Sequence, residues 1–107
     1  MTLYRLTGVL VFVGAAFAGS AGWAQTAPDM RAAAVLAANC SNCHGTAGVS
    51  PGAVPGLAGK PKDFIVQQMA AFRNGQRSAT IMHQLAKGYT EQQTELMAEY
   101  FSRQAAK

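Results

Sequence analysis

The chain has 107 residues, of which 50% are hydrophobic and only 13% are charged, and its formal net charge is +4. This length and composition predict one compact globular domain rather than two, and they exclude a disordered protein. The basic residues are spread singly, which favours a solvated face over a nucleic-acid interface, although such a face could steer an acidic partner.

The first 24 residues differ in kind from the rest. Arg5 is their only charged residue, and residues 8–18 are uniformly apolar. A basic start, an apolar stretch and small residues before a cut are typical of a secretory signal peptide. We therefore expect a signal peptide over residues 1–24 and an exported, periplasmic domain over residues 25–107. The alternative is an uncleaved membrane anchor, because residues 8–24 approach the roughly 17 to 20 apolar residues of a membrane span.

The first half of the expected mature sequence predicts one helix and one long loop. Residues 30–39 are rich in alanine and contain neither glycine nor proline, which predicts a helix capped near Asp29. Residues 45–60 contain five glycines and two prolines, which predicts an irregular loop. A long loop inside a compact domain usually has a function, and wrapping a cofactor would be one.

Two further helices are predicted downstream. Pro61 suits the first turn of the second helix, which ends near Gly75 and carries an apolar stripe of Phe64, Ile65, Met69 and Phe72. Residues 76–89 form a second connection. Thr90 and Gln93 match a capping box, and the last helix that follows has a buried stripe of Leu96, Met97, Tyr100 and Phe101. No strand pattern of useful length occurs, so the predicted fold class is all-α, with three main helices and long loops.

The most specific feature is the segment Cys40-Ser-Asn-Cys43-His44, which contains the only two cysteines of the chain. Residues three and four apart share one face of a helix, so both sulfurs and the imidazole can point to the same side. This spacing is a known attachment signal for one covalent haem c, with His44 bound to the iron. A metal-bound imidazole usually donates its other N–H to a carbonyl, and Pro55 is the candidate acceptor.

Three other interpretations of the cysteine pair explain less. A disulfide would close too short a loop to stabilise the fold much, and it would leave His44 unexplained. A thioredoxin-like thiol pair normally lies in a βαβ context, which the sequence lacks. A zinc site needs about four ligands, and His83 is the only further candidate beyond the motif.

An electron-transfer haem needs a second axial ligand, for which methionine and histidine are the usual choices. The candidates are Met69, Met82, His83 and Met97. Two of them, Met69 and Met97, lie in apolar helical stripes, where methionine is more often simply part of the core. Met82 and His83 lie together in the second connection, and a thioether raises the reduction potential of the iron. This chemistry favours Met82 and leaves His83 as the alternative.

These motifs are those of a known family. Over essentially all of residues 25–107, the chain resembles class I cytochromes c of the small bacterial type. Residues 79–82 (Ala-Thr-Ile-Met) and 86–89 (Ala-Lys-Gly-Tyr) are similar to the cytochrome subunits of flavocytochrome c sulfide dehydrogenases. The resemblance implies that the first and last helices cross beside the haem, with Tyr100 or Phe101 packed on the first helix. It also implies that Met82 is the distal ligand.

The resemblance further implies periplasmic electron transfer, with redox proteins as partners. The protein would act either as a soluble carrier or as the electron-accepting subunit beside a flavoprotein that oxidises sulfide, and it would not be catalytic alone. Many such subunits carry two haem domains, whereas this chain has one attachment motif. The alternative is a haem enzyme or gas-binding protein with an open iron site, which the nearby Met82 and His83 argue against.

Overall fold

The computed structural model describes residues 27–106, and these residues are helical with no strand. They form α1 (Met30–His44), α2 (Lys62–Arg73), α3 (Met82–Leu85) and α4 (Glu91–Ser102), with 3-10 turns at Thr46–Gly48 and Ala86–Gly88. The all-α class is confirmed, and α1, α2 and α4 are the three main helices. The predicted signal peptide lies outside the described residues. Over residues 27–106, no helix has the length and apolar character needed to cross a membrane.

Two helices begin at the caps predicted from the sequence. Asp29 Oδ1 accepts hydrogen bonds from the backbone N–H groups of Arg31 at 2.9 Å and Ala32 at 3.2 Å, which fixes the start of α1. At α4, the Thr90 hydroxyl accepts from the Gln93 N–H at 3.1 Å, and the Gln93 side chain accepts from the Thr90 N–H at 2.9 Å. This reciprocal pair is a complete capping box.

The first core cluster forms where α1 and α4 cross. Its buried members are Ala37, Ile65, Ala98 and Phe101. Ala37 and Ala98 are 0% exposed, so the two helix backbones can approach closely at these small side chains. Phe101 belongs to the same cluster as Ala37 and is 1% exposed. An α4 aromatic residue and the alanine-rich first helix therefore share one buried cluster, which agrees with the expected packing.

The second core cluster joins α2, α4 and the 3-10 turn that follows α3. Its buried members are Met69, Ala86 and Met97. Met69 and Met97 are thus core residues, as their positions in the apolar stripes predicted. Partly buried residues packed against this cluster include Cys40 and Met82, so it extends to the residues singled out as candidate haem ligands.

The structure differs from the prediction at Phe64 and in the second connection. Phe64 is 46% exposed, whereas Ile65 is buried. Neighbouring helix positions point about 100° apart, and in α2 the core lies on the side of Ile65. Met82 does not lie in an irregular loop but begins α3, a single turn in which the N–H groups of Gln84 and Leu85 both donate to the Ile81 carbonyl.

Candidate functional site

The two cysteines lie in the last turn of α1, which ends at His44. Both are free thiols, so the structure contains no disulfide between them; Cys40 is half-buried and Cys43 is exposed. The helix continues through the whole motif, so its three side chains share one face, as predicted. Gly45 then turns the chain sharply with φ +84, and a Cβ at this position would collide with the Val49 carbonyl. A glycine is therefore required directly after His44.

Cys40 is packed at the junction of the two core clusters, since it contacts both of them. Its Sγ lies 4.0 Å from Met97 Sδ. Burial raises the pKa of the Cys40 thiol, because a thiolate is poorly solvated among apolar side chains. The thiol therefore stays protonated at neutral pH and behaves as a small apolar group until it reacts.

The His44 ring is oriented by the backbone of the glycine-rich loop. Its Nδ1 lies 2.6 Å from the Pro55 carbonyl oxygen, so the predicted contact is present. A carbonyl can only accept, which requires that Nδ1 carries the proton. Nε2 then keeps its lone pair and is the nitrogen available to bind iron.

The loop around Pro55 is tied to the core on both sides. The Gly48 carbonyl accepts hydrogen bonds from the N–H groups of Leu57 at 2.8 Å and Ala58 at 3.1 Å. One residue further on, the Gly59 N–H donates to the Phe101 carbonyl at 2.9 Å. These bonds hold an otherwise irregular segment, and with it the carbonyl that orients His44, against α4.

Met82 and Cys40 are far apart in sequence but pack against the same core cluster. Met82 is half-buried at the start of α3. His83, the alternative ligand, follows it, and its Nδ1 is buried without a hydrogen-bond partner among the described residues. Met82 and Cys40 therefore both pack against the second core cluster, which brings the start of α3 to the same part of the core as the attachment motif.

Large apolar side chains are exposed next to these candidate ligands. Val54, which precedes Pro55, is 40% exposed, and Ile81 and Leu85, on either side of Met82, are 56% and 46% exposed. Apolar side chains are the predominant lining of cofactor sites in proteins. Two thiols, an imidazole with a free Nε2 and a thioether are chemical groups that fit a covalently attached porphyrin.

A zinc site has no comparable support in the structure. Zinc is usually held by about four side chains, most often of cysteine and histidine. Among residues 27–106, no group of three or more His, Cys, Asp or Glu side chains comes together to hold a metal ion. The described part of the chain therefore contains no complete zinc ligand set.

The family model for cytochrome c matches residues 30–104. This chain belongs to the cytochrome c family. The match starts at the first residue of α1 and ends beyond α4, so it includes every helix described above. The cytochrome therefore binds c-type haem covalently and transfers electrons, as the attachment motif predicted.

The chain is similar in sequence to several known cytochromes. The cytochrome is 37% identical over 89 residues to the cytochrome subunit of sulfide dehydrogenase from Chlorobaculum tepidum, which covers 75% of this chain and 81% of that protein. It is 34% identical over 94 residues to the thiosulfate dehydrogenase electron acceptor of Thiomonas intermedia. This match covers 85% of this chain and 40% of that protein. The structure of cytochrome c4 from Acidithiobacillus ferrooxidans matches with a TM-score of 0.63 and 36% identity. This match covers 71% of this chain and 49% of that chain.

These comparisons confirm the class I fold and the resemblance to sulfide dehydrogenase cytochrome subunits. They also confirm redox proteins as the class of partner. The cytochrome spans most of the Chlorobaculum subunit but less than half of the other two relatives.

Two features near the site were not identified from the sequence. Met97 was predicted as core, but not as the residue in contact with Cys40. Thr94 is 4% exposed and was not predicted to be buried. Thr94, Met97 and Phe101 follow one another at spacings of three and four, so the helical period could have placed the threonine on the buried face of α4.

Proposed function

We propose that the cytochrome is an exported, periplasmic electron carrier that accepts electrons from a sulfide-oxidising flavoprotein. Cys40 and Cys43 would hold the haem through thioether bonds, and His44 and Met82 would bind its iron. When bound, the haem supplies an iron that alternates between the ferrous and ferric states. The observation that carries the proposal is the packing of Met82 and Cys40 against one core cluster, in a chain whose His44 already has the tautomer that an iron ligand needs.

Each residue has a distinct task in this proposal. The hydrogen bond from His44 Nδ1 to the Pro55 carbonyl fixes the ring orientation and makes Nε2 a more basic metal ligand. The soft thioether of Met82 favours reduced iron and so raises the reduction potential. The buried side chains of Met69, Ala86 and Met97 keep water away from the Met82 side of the site.

The proposed partner is supported by similarity and by charge. The Chlorobaculum relative is by name the cytochrome subunit of sulfide dehydrogenase, and this cytochrome covers 81% of it. Within residues 27–106, the ion pairs are made by Lys62 and Arg103. Five other basic side chains form no salt bridge there, and four of them are exposed: Arg31, Lys60, Arg77 and Lys87. Unpaired bases can steer an acidic protein surface to the cytochrome.

The ligand assignment is tested on matured, haem-loaded protein. We expect the haem to resist acid-acetone extraction in the wild type and to be extracted from the Cys40→Ser, Cys43→Ser double variant. Met82→Ala should abolish the far-red charge-transfer band of methionine-bound ferric iron and allow the reduced protein to bind carbon monoxide. His83→Ala is the matched control and should keep the band. Loss of the band in His83→Ala, or its survival in Met82→Ala, would contradict the assignment.

The partner is tested by purifying the native cytochrome from its source at low ionic strength. We expect a flavin-containing protein to co-purify, and the complex to reduce the haem when sulfide is added. Because unpaired surface bases contribute to the encounter, the reduction rate should fall as salt is raised. A cytochrome that elutes without flavin, and that sulfide does not reduce in any fraction of the extract, would refute the partner while leaving the ligand assignment intact.

A further inference from the structure

Arg73, the last residue of α2, uses its guanidinium to join two other parts of the fold. Its Nε donates to the Ala86 carbonyl at 3.2 Å, and its Nη2 donates to the Tyr89 carbonyl at 2.9 Å. The same Nη2 lies 3.5 Å from the Thr94 hydroxyl on α4. The half-buried arginine therefore contacts both the end of the segment that begins at Met82 and the first turns of α4.

These acceptors are arranged to hold an arginine. Thr94 is buried, and its own hydroxyl proton is donated to the Thr90 carbonyl at 2.9 Å, which leaves an oxygen lone pair for Arg73. Within the described residues, Arg73 forms no salt bridge, and its guanidinium donates hydrogen bonds to neutral oxygens instead. Hydrogen bonds from a charged donor to such groups are stronger than those between neutral groups.

The segment that begins at Met82 is not stable without contacts to the rest of the fold. Helix α3 has only four residues and no side-chain cap, and such a short helix is not stable alone. It continues into the turn that contains Ala86, which is 0% exposed in the second core cluster. Met82 is therefore held by its own packing and that of Ala86 in the second core cluster, together with the two carbonyl bonds from Arg73.

We infer that Arg73 is a positioning residue that keeps the Met82 sulfur on the haem iron, an inference that rests on the proposed role of Met82 as axial ligand. Arg73 would act through the segment after α2, since its bonds reach the carbonyls of Ala86 and Tyr89. It lowers the fraction of molecules in which the segment of residues 82–88 moves away and exposes the metal. An external ligand such as imidazole can bind the iron only in those molecules, so its apparent affinity reports the open fraction.

The experiment compares imidazole binding to the ferric haem-loaded wild type and variants, without denaturant. Arg73→Gln removes the charge and the planar fork, and the apparent imidazole affinity should rise about tenfold or more, since several charge-assisted bonds are lost. Arg73→Lys keeps the charge but cannot bond both carbonyls in one plane, so it should give a smaller rise. If Arg73→Gln does not accumulate as holoprotein, Arg73→Lys decides the question on its own, and wild-type affinity in that variant overturns the inference.

Two controls separate positioning from general stability. Arg77→Gln removes a nearby exposed arginine that packs over Phe72 and bonds Gln68, and imidazole affinity should not change. Ile65→Val loosens the other core cluster, so it should lower the denaturant midpoint without raising imidazole affinity. Wild-type affinity in Arg73→Gln, or an equal rise in Ile65→Val, would overturn the inference. Met82→Ala separates the two proposals, because a far-red band that survives in that variant shows that the ligand assignment itself has failed.

Discussion

At the scale of single residues, the site depends on glycines that let the backbone pass close to other atoms. Gly48 has φ +79, and a Cβ there would lie 2.7 Å from Phe101 Cδ1 and 2.9 Å from the Ala58 nitrogen. Its carbonyl also ties down the loop that carries Pro55. A side chain at this position would therefore disturb both the core and the loop that orients His44.

We predict that Gly48→Ala lowers the free energy of unfolding of the haem-loaded protein by about 2 to 4 kcal/mol, from left-handed backbone strain plus overpacking. Gly75→Ala is the matched control, because Gly75 has the same φ of +79 and nothing within 4 Å of the added Cβ. It should cost only about 1 to 2 kcal/mol. Urea unfolding followed by circular dichroism measures both changes. Equal losses in the two variants would show that crowding against Phe101 contributes nothing.

The residues of the site were predictable to the extent that their chemistry is local. Cys40, Cys43 and His44 form a contiguous motif, and the need of a metal-bound imidazole for a carbonyl partner led to Pro55. The sequence favours Met82 over His83 as the second iron ligand only through the chemistry of sulfur and iron. The two residues are adjacent, so their position in the sequence does not distinguish them. The proposed role of Arg73 had no signal in the sequence, since its carbonyl acceptors are defined only when the segment after α3 folds back.

At the scale of helices and loops, α2 and α4 are linked at the surface by Lys62. Its Nζ lies 2.6 Å from Glu95 Oε2 and 3.8 Å from Glu99 Oε2. The hydrogen bond to Glu95 raises the pKa of Lys62. A pKa raised by folding means that the pair stabilises the protein fully below the ordinary lysine value and loses this contribution as the pH rises through the folded value.

We predict a coupling energy of about 0.2 to 1 kcal/mol between Lys62→Gln and Glu95→Gln, because both side chains are more than one-third exposed and solvent screens them. A double-mutant cycle from urea unfolding at neutral pH gives this energy, and it should shrink at high salt. The matched cycle with Lys60→Gln, which removes a lysine without an ion pair among the described residues, should show no coupling. A coupling that does not change with salt would contradict a screened surface pair.

The main helices were predictable because the residues that cap their ends lie next to those ends in the sequence. Asp29 and the pair Thr90 and Gln93 act on backbone groups within one turn, so the sequence alone identified both caps. Helix α3 was not predicted, because four residues carry too little periodicity and its stability comes from tertiary contacts. Phe64 was misplaced for a related reason, since the helical period could not decide which of two adjacent apolar residues faces α4.

At the scale of the whole molecule, the two core clusters meet at Cys40. The first cluster fixes the crossing of α1 and α4, and the second holds the segment that begins at Met82. Cys40 packs against both, whereas Cys43 is exposed. The first cysteine of the motif therefore has a packing role in addition to its proposed bond to the haem, and the second has only the bond.

We predict that Cys40→Ala destabilises the haem-loaded protein by about 1 kcal/mol more than Cys43→Ala. Each variant keeps one cysteine and so one thioether, which makes Cys43→Ala the control for the lost bond. The difference between them then isolates the packing of the half-buried Cys40 sulfur, whose removal would leave a gap beside Met97. Guanidinium unfolding of both holoproteins, followed by circular dichroism, measures this difference. Equal stabilities, or a greater loss in Cys43→Ala, would show that the sulfur contributes through the haem bond alone and that the two clusters do not depend on it.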